Sequence, residues 1–253
     1  MTALLEVDQV AVSFGGIVAL DRVSFDVEKG EICGLIGPNG AGKTTLFNCL
    51  SRLYPVQSGD IRFEGKSVTR MPKHAIAAIG IGRTFQNLAL FRSMSVARNI
   101  MVGGHCRTSS SFLENAFRIG VASEEAKLTE AVARIVAFLR LEPYVDVPVA
   151  ALPFGLQKRV ELGRALAAEP KLLLLDEPAA GLNHEELSDL GRLIREVRDT
   201  FGITVLLVEH HMTLVMGVSD KVVALDFGKK IAEGTPAHVQ QHPDVIRAYL
   251  GAA

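Results

Sequence analysis

The chain has 253 residues, 48% of them hydrophobic and 22% charged, and a formal net charge of −1. Such a length suits one globular domain, with or without a sub-domain, and is ample to bury a core. Near-neutrality excludes a global basic field for nucleic acid or an anionic membrane surface, and the widely spaced Cys33, Cys49 and Cys106 form no disulfide framework or zinc spacing, in keeping with a reducing compartment.

The opening, "MTALLEVDQVAVSF", alternates like a strand and lacks the basic start and small-residue cleavage site of a secretory signal. A "GG" turn leads to a second strand, "IVALDRVSFDV", and "EKG" turns the chain into the apolar run "EICGLIG". A helix is predicted from about Lys43 to Tyr54, stopped before Pro55. The strand "GDIRFEG" follows, then a helix near Pro72 to Ala78 whose end at Gly80 leads to "IGRTFQ".

Between about Asn87 and Ala151 the character changes to a helical insert. Ser95 is placed to cap the helix beginning "VARNIMVG". "RTSSS" reads as a polar link, and "SEEAKLTEAVARIVAFLR" puts Leu128, Val132, Ile135 and Leu139 on one helical face. Beyond it, "KLLLLDEP" and "ITVLLVEH" read as buried strands around the amphipathic helix "HEELSDLGRLIREVRDTFG". "KVVALDFGKKIAEG" reads as a hairpin turning at Phe227-Gly228, and "PDVIRAYLG" as a closing helix. Apolar strands alternating with helices argue an α/β fold with a parallel sheet covered on both faces. No apolar run approaches the ~20 residues that span a bilayer, so any membrane role is expected to act through a partner.

"GPNGAGKTT" lies between a strand and a helix, the context a phosphate-cradling P-loop requires. The run Gly37, Pro38, Asn39, Gly40, Ala41, Gly42 lets backbone N–H groups turn inward, and the helix carrying Lys43, Thr44 and Thr45 adds about half a positive charge at its start. Lys43 is placed to reach the β- and γ-phosphates, and the Thr44 hydroxyl to ligate Mg²⁺. A plain glycine turn needs no Lys-Thr in this register, so the segment is expected to bind a nucleoside triphosphate. "LLLLDEP" delivers Asp176 to the carboxyl edge of the sheet, where ligands bind in open α/β folds. Asp176 can hold Mg²⁺ through water, and Glu177 can orient and deprotonate the attacking water. Alone, a D-E pair after a strand reads as a solvated turn; with the P-loop it reads as ATPase machinery.

Further residues follow in a set order: Gln86 ending "GIGRTFQ", the turn "LPFGLQKRVELGRAL", "AGLN" after Glu177, and His210 ending "TVLLVEH". Over nearly the whole chain this resembles the ATP-binding subunits of ABC transporters: Walker A, Q-loop, signature, Walker B, D-loop and switch histidine. Each later motif is weak alone; their order is specific. "FGGIVAL", "IGRTFQN", "LLLLDEPAAGLN", "VEHHM", "LVMGVSD" and "PDVIRAYLG" make it similar to the branched-chain amino-acid importer ATPases in particular.

The resemblance implies an α/β P-loop NTPase (RecA-like) parallel-sheet core with an N-terminal antiparallel β element and an inserted helical subdomain. Residues 1–253 would form a single ABC ATPase domain, with 1–87 and 163–253 as the catalytic core and 88–162 as the insert carrying the signature. Phe14 would stack on adenine, the alternative being a half-buried strand aromatic. Gln86 would sense the γ-phosphate or Mg²⁺, His210 would hydrogen-bond the γ-phosphate, and Gly181, Leu182 and Asn183 would form the D-loop. Asn183 replaces a common aspartate, and His211 stands where an acid is frequent.

The implied cofactors are ATP and Mg²⁺. The implied partners are a second ABC ATPase subunit in a head-to-tail, heterodimeric arrangement, two integral membrane permease subunits, and indirectly a periplasmic or lipid-anchored solute-binding protein, with no nucleic acid. That would set the chain peripherally on the cytoplasmic face of the inner membrane, with "NLALFRSMSV" and its Leu88, Leu90 and Phe91 as the candidate contact, the alternative for each being burial in the insert's own core. Alternatives are a lipopolysaccharide-export-type ATPase, a soluble ABC-type assembly or regulatory ATPase, and an importer of amides or urea.

The signature departs from the family pattern. Pro153 and Leu156 flank "FG" where a serine and a glutamine are usual, leaving Pro153, Phe154, Gly155, Leu156 and Gln157 to face the partner's nucleotide. Proline offers neither a hydroxyl nor an N–H, but it fits a first helical turn. Gly155 and the helix start would still present main-chain amides to an anion. The loss of one charge-assisted bond, roughly 1.5–3 kcal/mol, would weaken closure without abolishing it.

Overall fold

The computed structural model describes residues 3–84, 88–107 and 121–250, so Gln86 and most of the "RTSSS" link lie outside the described residues. In chain order, β1 (Ala3–Phe14) and β2 (Ile17–Glu28) form a hairpin, and β3 (Ile32–Ile36) leads to α1 (Lys43–Leu50). Next come β4 (Ser58–Phe63), β5 (Lys66–Ser67), α2 (Ala75–Ala78) and β6 (Ile81–Arg83). Helices α3 (Val96–Gly103), α4 (Val121–Phe138) and α5 (Phe154–Leu166) precede β7 (Leu172–Asp176), α6 (His184–Phe201) and β8 (Thr204–Val208). The chain closes with α7 (Met212–Val218), β9 (Lys221–Asp226), β10 (Lys229–Gly234), α8 (Pro236–Gln240) and α9 (Pro243–Leu250).

Two compact units result, one of Met1–Ile76 with Lys171–Ala253, the other of Ala77–Pro170. The second is wider than the 88–162 span expected from sequence. A division after residue 162 would cut through the continuous turns of α5.

The first unit holds an antiparallel sheet in the order β2-β1-β4-β5 and a second sheet in which β10-β9-β3-β8-β7 lie side by side. Strands β3, β7 and β8 are parallel neighbours, and every residue in them is buried. That explains their continuous apolar sequence, since strands covered on both faces cannot alternate. Leu35, Val208 and Asp176 stand in one row across the three strands, so the chain leaves all three at the same edge.

Helix α1 is shorter than predicted. It ends at Leu50, where Arg52 takes a left-handed φ of 58° and the amides of Arg52 and Leu53 fold back on the Cys49 and Asn48 carbonyls. This pair of bonds is a Schellman stop, usually written with glycine. The hairpin turn at Phe227-Gly228 is as expected, both residues having positive φ. Cys33 and Cys49 are buried free thiols, and burial pushes the Cys49 thiol up to about 11. No helix among the described residues is long and apolar enough to cross a membrane.

The second unit is built on α3, α4 and α5. Ser95 caps α3, its side chain accepting from the Arg98 amide. Val132, Ile135 and Leu139 are buried and Leu128 half-buried, the stripe their spacing predicts. Asn99 is fully buried and makes four bonds: its Oδ1 accepts from the Phe91 amide, and its Nδ2 contacts the carbonyls of Phe91, Met94 and Ser95. It thereby fixes the turn before α3, on which Phe91 is 49% exposed while Leu88 and Leu90 are half-buried. Asn99→Ala removes the acceptor of the Phe91 amide and the side-chain donor shared by the three carbonyls, which keep their main-chain partners, and is expected to cost about 1–3 kcal/mol, read by urea unfolding.

Candidate nucleotide site

The loop leaving β3 turns through conformations that side chains resist. Gly37 has φ 153°, and a β-carbon there would meet the Leu225 carbonyl oxygen at 2.3 Å. Gly42 has φ 102°, and a β-carbon there would meet the Ala19 carbonyl oxygen at 2.6 Å. Asn39 and Gly40 form the exposed crest, with the Ala41 amide donating back to the Pro38 carbonyl. Gly42 then caps α1, whose open end carries Lys43, an exposed Thr44 and a half-buried Thr45, with no acidic residue in its first turn. The geometry is that of an anion cradle at a helix start.

Lys43 is only 8% exposed, and its ammonium donates to the carbonyls of Gly37 (2.6 Å) and Pro38 (2.9 Å). Burial lowers its pKa, and the nearby charge of Glu177 opposes that shift. The cation is therefore held in its own loop, close to the acid expected to act on water.

Asp176 ends β7 with 5% exposure. Glu177 follows in a left-handed conformation, φ 47°, while its amide donates to the Val208 carbonyl at 2.9 Å. Positive φ at a non-glycine residue costs of the order of 1–3 kcal/mol and clusters at functional turns. Thr44 and Asp176 would offer a hydroxyl and a carboxylate, an oxygen-only donor set that suits a hard cation such as Mg²⁺.

His210 leaves β8 at the same edge with its ring about half exposed. His211 stacks against it at 4.3 Å between ring centroids. Phe14 lies at the end of β1, 45% exposed, with Tyr54 edge-on at 5.2 Å. Tyr54 is not legible as a neighbour of Phe14 from sequence, because it lies beyond the early stop of α1. The hairpin tip adds a further link, since the Gly228 amide donates to the Ala41 carbonyl and the Gly228 carbonyl accepts from Asp21.

Asn183, read as a D-loop residue, is also the N-cap of α6. Its side chain accepts from the Glu186 amide, and Glu186 reaches back to the Asn183 amide, a complete capping box. Gly181 and Leu182 form the turn before it, with Gly181 at φ 80°.

The signature residues lie in the second unit. Pro153 is the N-cap of α5 rather than a first-turn residue, with ψ 151° and no side-chain cap. Its carbonyl accepts from Leu156 and Gln157, so the amides of Phe154 and Gly155 are left at the open helix end. Gln157 turns back to the Leu152 carbonyl at 2.8 Å, and Phe154 is exposed under the Lys158 ammonium. Proline's fixed φ suits the cap as well as the first turn, and the missing hydroxyl leaves the main-chain end intact.

Lys43→Ala removes the buried cation and is expected to raise the Kd for ATP tenfold to a hundredfold, about 1.5–3 kcal/mol, by titration with a fluorescent analogue. Asn183→Ala should cost about 1 kcal/mol of stability, and Asn183→Asp almost none, by thermal unfolding.

Residues 20–180 match the ABC transporter family model, and residues 229–253 match that of the branched-chain amino acid ATP-binding cassette transporter. Among curated proteins the chain is similar to the high-affinity branched-chain amino acid transport ATP-binding protein BraF of Pseudomonas aeruginosa, 41% identical over 99% of this chain and 98% of that one. It is also similar to LivG of Escherichia coli, of the same description, 40% identical over 99% and 98%. Among solved structures, the ADP conformation of MJ1267, an ATP-binding cassette of an ABC transporter, superposes with a TM-score of 0.87 at 32% identity, covering 99% of this chain and all of that one. The chain therefore belongs to the ABC transporter family, as an ATP-hydrolysing, ATP-binding subunit whose carboxyl-terminal segment is of the branched-chain amino-acid type.

Proposed function

We propose that this chain powers an importer of branched-chain or related hydrophobic amino acids, as one of two ATPases beneath two permease subunits served by an external solute-binding protein. The observation that carries the reading is the match of residues 229–253 to the branched-chain model. That segment lies beyond the residues that nucleotide chemistry demands, so it speaks to the transporter type rather than to ATP.

The chemistry starts from the held lysine. An arriving triphosphate offers Lys43 phosphate oxygens in place of the Gly37 and Pro38 carbonyls. Amides of the glycine loop and of the α1 start face the phosphates. Glu177 takes the proton of the attacking water, and His210 hydrogen-bonds the terminal phosphoryl. Mg²⁺, held by Thr44 and Asp176, would neutralise charge on the phosphates. Phe14 stacks on the base. Phe91 and its turn, stiffened by Asn99, face the membrane partner.

The two composite sites are unequal. This chain's Lys43, Glu177 and His210 act on its own nucleotide, whereas its serine-less signature acts on the partner's. If the partner carries a serine signature, the site built on Lys43 is the stronger one. In the assembled transporter, Glu177→Gln is expected to lower ATPase activity at least tenfold, and the matching change in the partner by less than half. Equal losses from the two changes would reject the asymmetry. Copurification of two different membrane subunits and a binding protein tests the importer assignment itself.

A further inference from the structure

Glu209 sits between Val208 and His210, directly after β8. Its side chain is completely buried, a costly position for a carboxylate unless its oxygens are fully used. They are. One oxygen, Oε1, accepts from the Ala179 amide at 2.7 Å. The other, Oε2, accepts from the amides of His210 at 3.0 Å and His211 at 3.3 Å, and meets the His211 ring nitrogen Nδ1 at 3.0 Å. Glu209, His210 and His211 bring potential ligand atoms within 4.8 Å of one another. Three donors already converge on Oε2, however, so the cluster is explained as a hydrogen-bonded hub without a metal.

What the hub joins is informative. Ala179 lies two residues after Glu177, in the strained turn that carries it, and the Glu177 amide is bonded to Val208, directly before Glu209. His211 is the N-cap of α7, yet its side chain makes no cap bond and turns to Glu209 instead. We infer that Glu209 is a positioning residue for hydrolysis: one buried side chain fixes the turn bearing Glu177 through one oxygen and the strand end bearing His210 through the other, with His211 steadying the carboxylate. The inference rests on Glu177 and His210 acting as proposed above. Hydrogen-bonded supports of this kind set reacting groups to fractions of an ångström.

The test uses the full chain assembled with the subunits it copurifies with, measuring kcat and KM for ATP and the Kd of a fluorescent ATP analogue. Glu209→Gln keeps the size but presents an amide N–H₂ to groups that all donate. It is expected to lower kcat at least tenfold while the Kd stays within twofold, because the groups bonded to Glu209 come from Ala179, His210 and His211 and not from the Lys43 loop. His211→Ala should lower kcat two- to fivefold, and His211→Asn, whose amide nitrogen replaces Nδ1, should restore it. A kcat within twofold of wild type in Glu209→Gln overturns the proposal, as does a Kd that rises in step with the loss of kcat. If Glu209→Gln does not fold, the His211 pair decides: unchanged kcat in His211→Ala overturns the inference. Glu177→Gln serves as the reference. Wild-type turnover there would overturn the catalytic reading itself, whereas an inactive Glu177→Gln beside a fully active Glu209→Gln would overturn the positioning alone.

Discussion

The register of three parallel strands governs the site. Leu35, Val208 and Asp176 stand abreast in β3, β8 and β7, and all three strands are buried along their whole length. A slip of one residue would reverse every side chain in a strand. It would also carry Asp176 and Glu177, or His210, out of line with the lysine loop. The apolar runs are thus more than core material: their packing sets where three polar turns begin. From that row the chain supplies, in adjacent positions, an anion cradle, a carboxylate pair and an imidazole.

Much of this was legible because a small number of residue types have few structural uses. Glycines with Lys-Thr in register define a phosphate loop, and the period of Leu128, Val132, Ile135 and Leu139 defines a helix face. Other features were hidden for physical reasons. The end of α1 is a Schellman turn made by Arg52, a residue that does not advertise left-handed backbone, so the sequence placed the stop at Pro55 instead. Asn183 reads as a D-loop aspartate that keeps its acceptor and loses its charge, and only the structure adds the capping box with Glu186. Glu209 looks like an ordinary polar strand end, and only its burial reveals four converging donors.

The departures from the family pattern leave local holding bonds in place through other atoms. At the start of α5 the helix presents main-chain amides where a serine hydroxyl is usual, and Pro153 shapes that end without contributing a donor. After β8, His211 holds the N-cap position of α7 without a side-chain cap bond, and its ring binds a buried carboxylate instead. Both substitutions keep the local fold while changing which atoms do the holding.

The tip of the last hairpin has a mechanical meaning of its own. Gly228 is pinned by its amide to Ala41 in the lysine loop and by its carbonyl to Asp21 in β2. The loop is thus splinted from behind by the stretch that leads directly into residues 229–253, the part that marks the transporter type. The segment that matches the branched-chain type and the loop expected to cradle phosphate are joined through one hairpin tip. A displacement of that tip would bear directly on Ala41, and so on the backbone of the lysine loop.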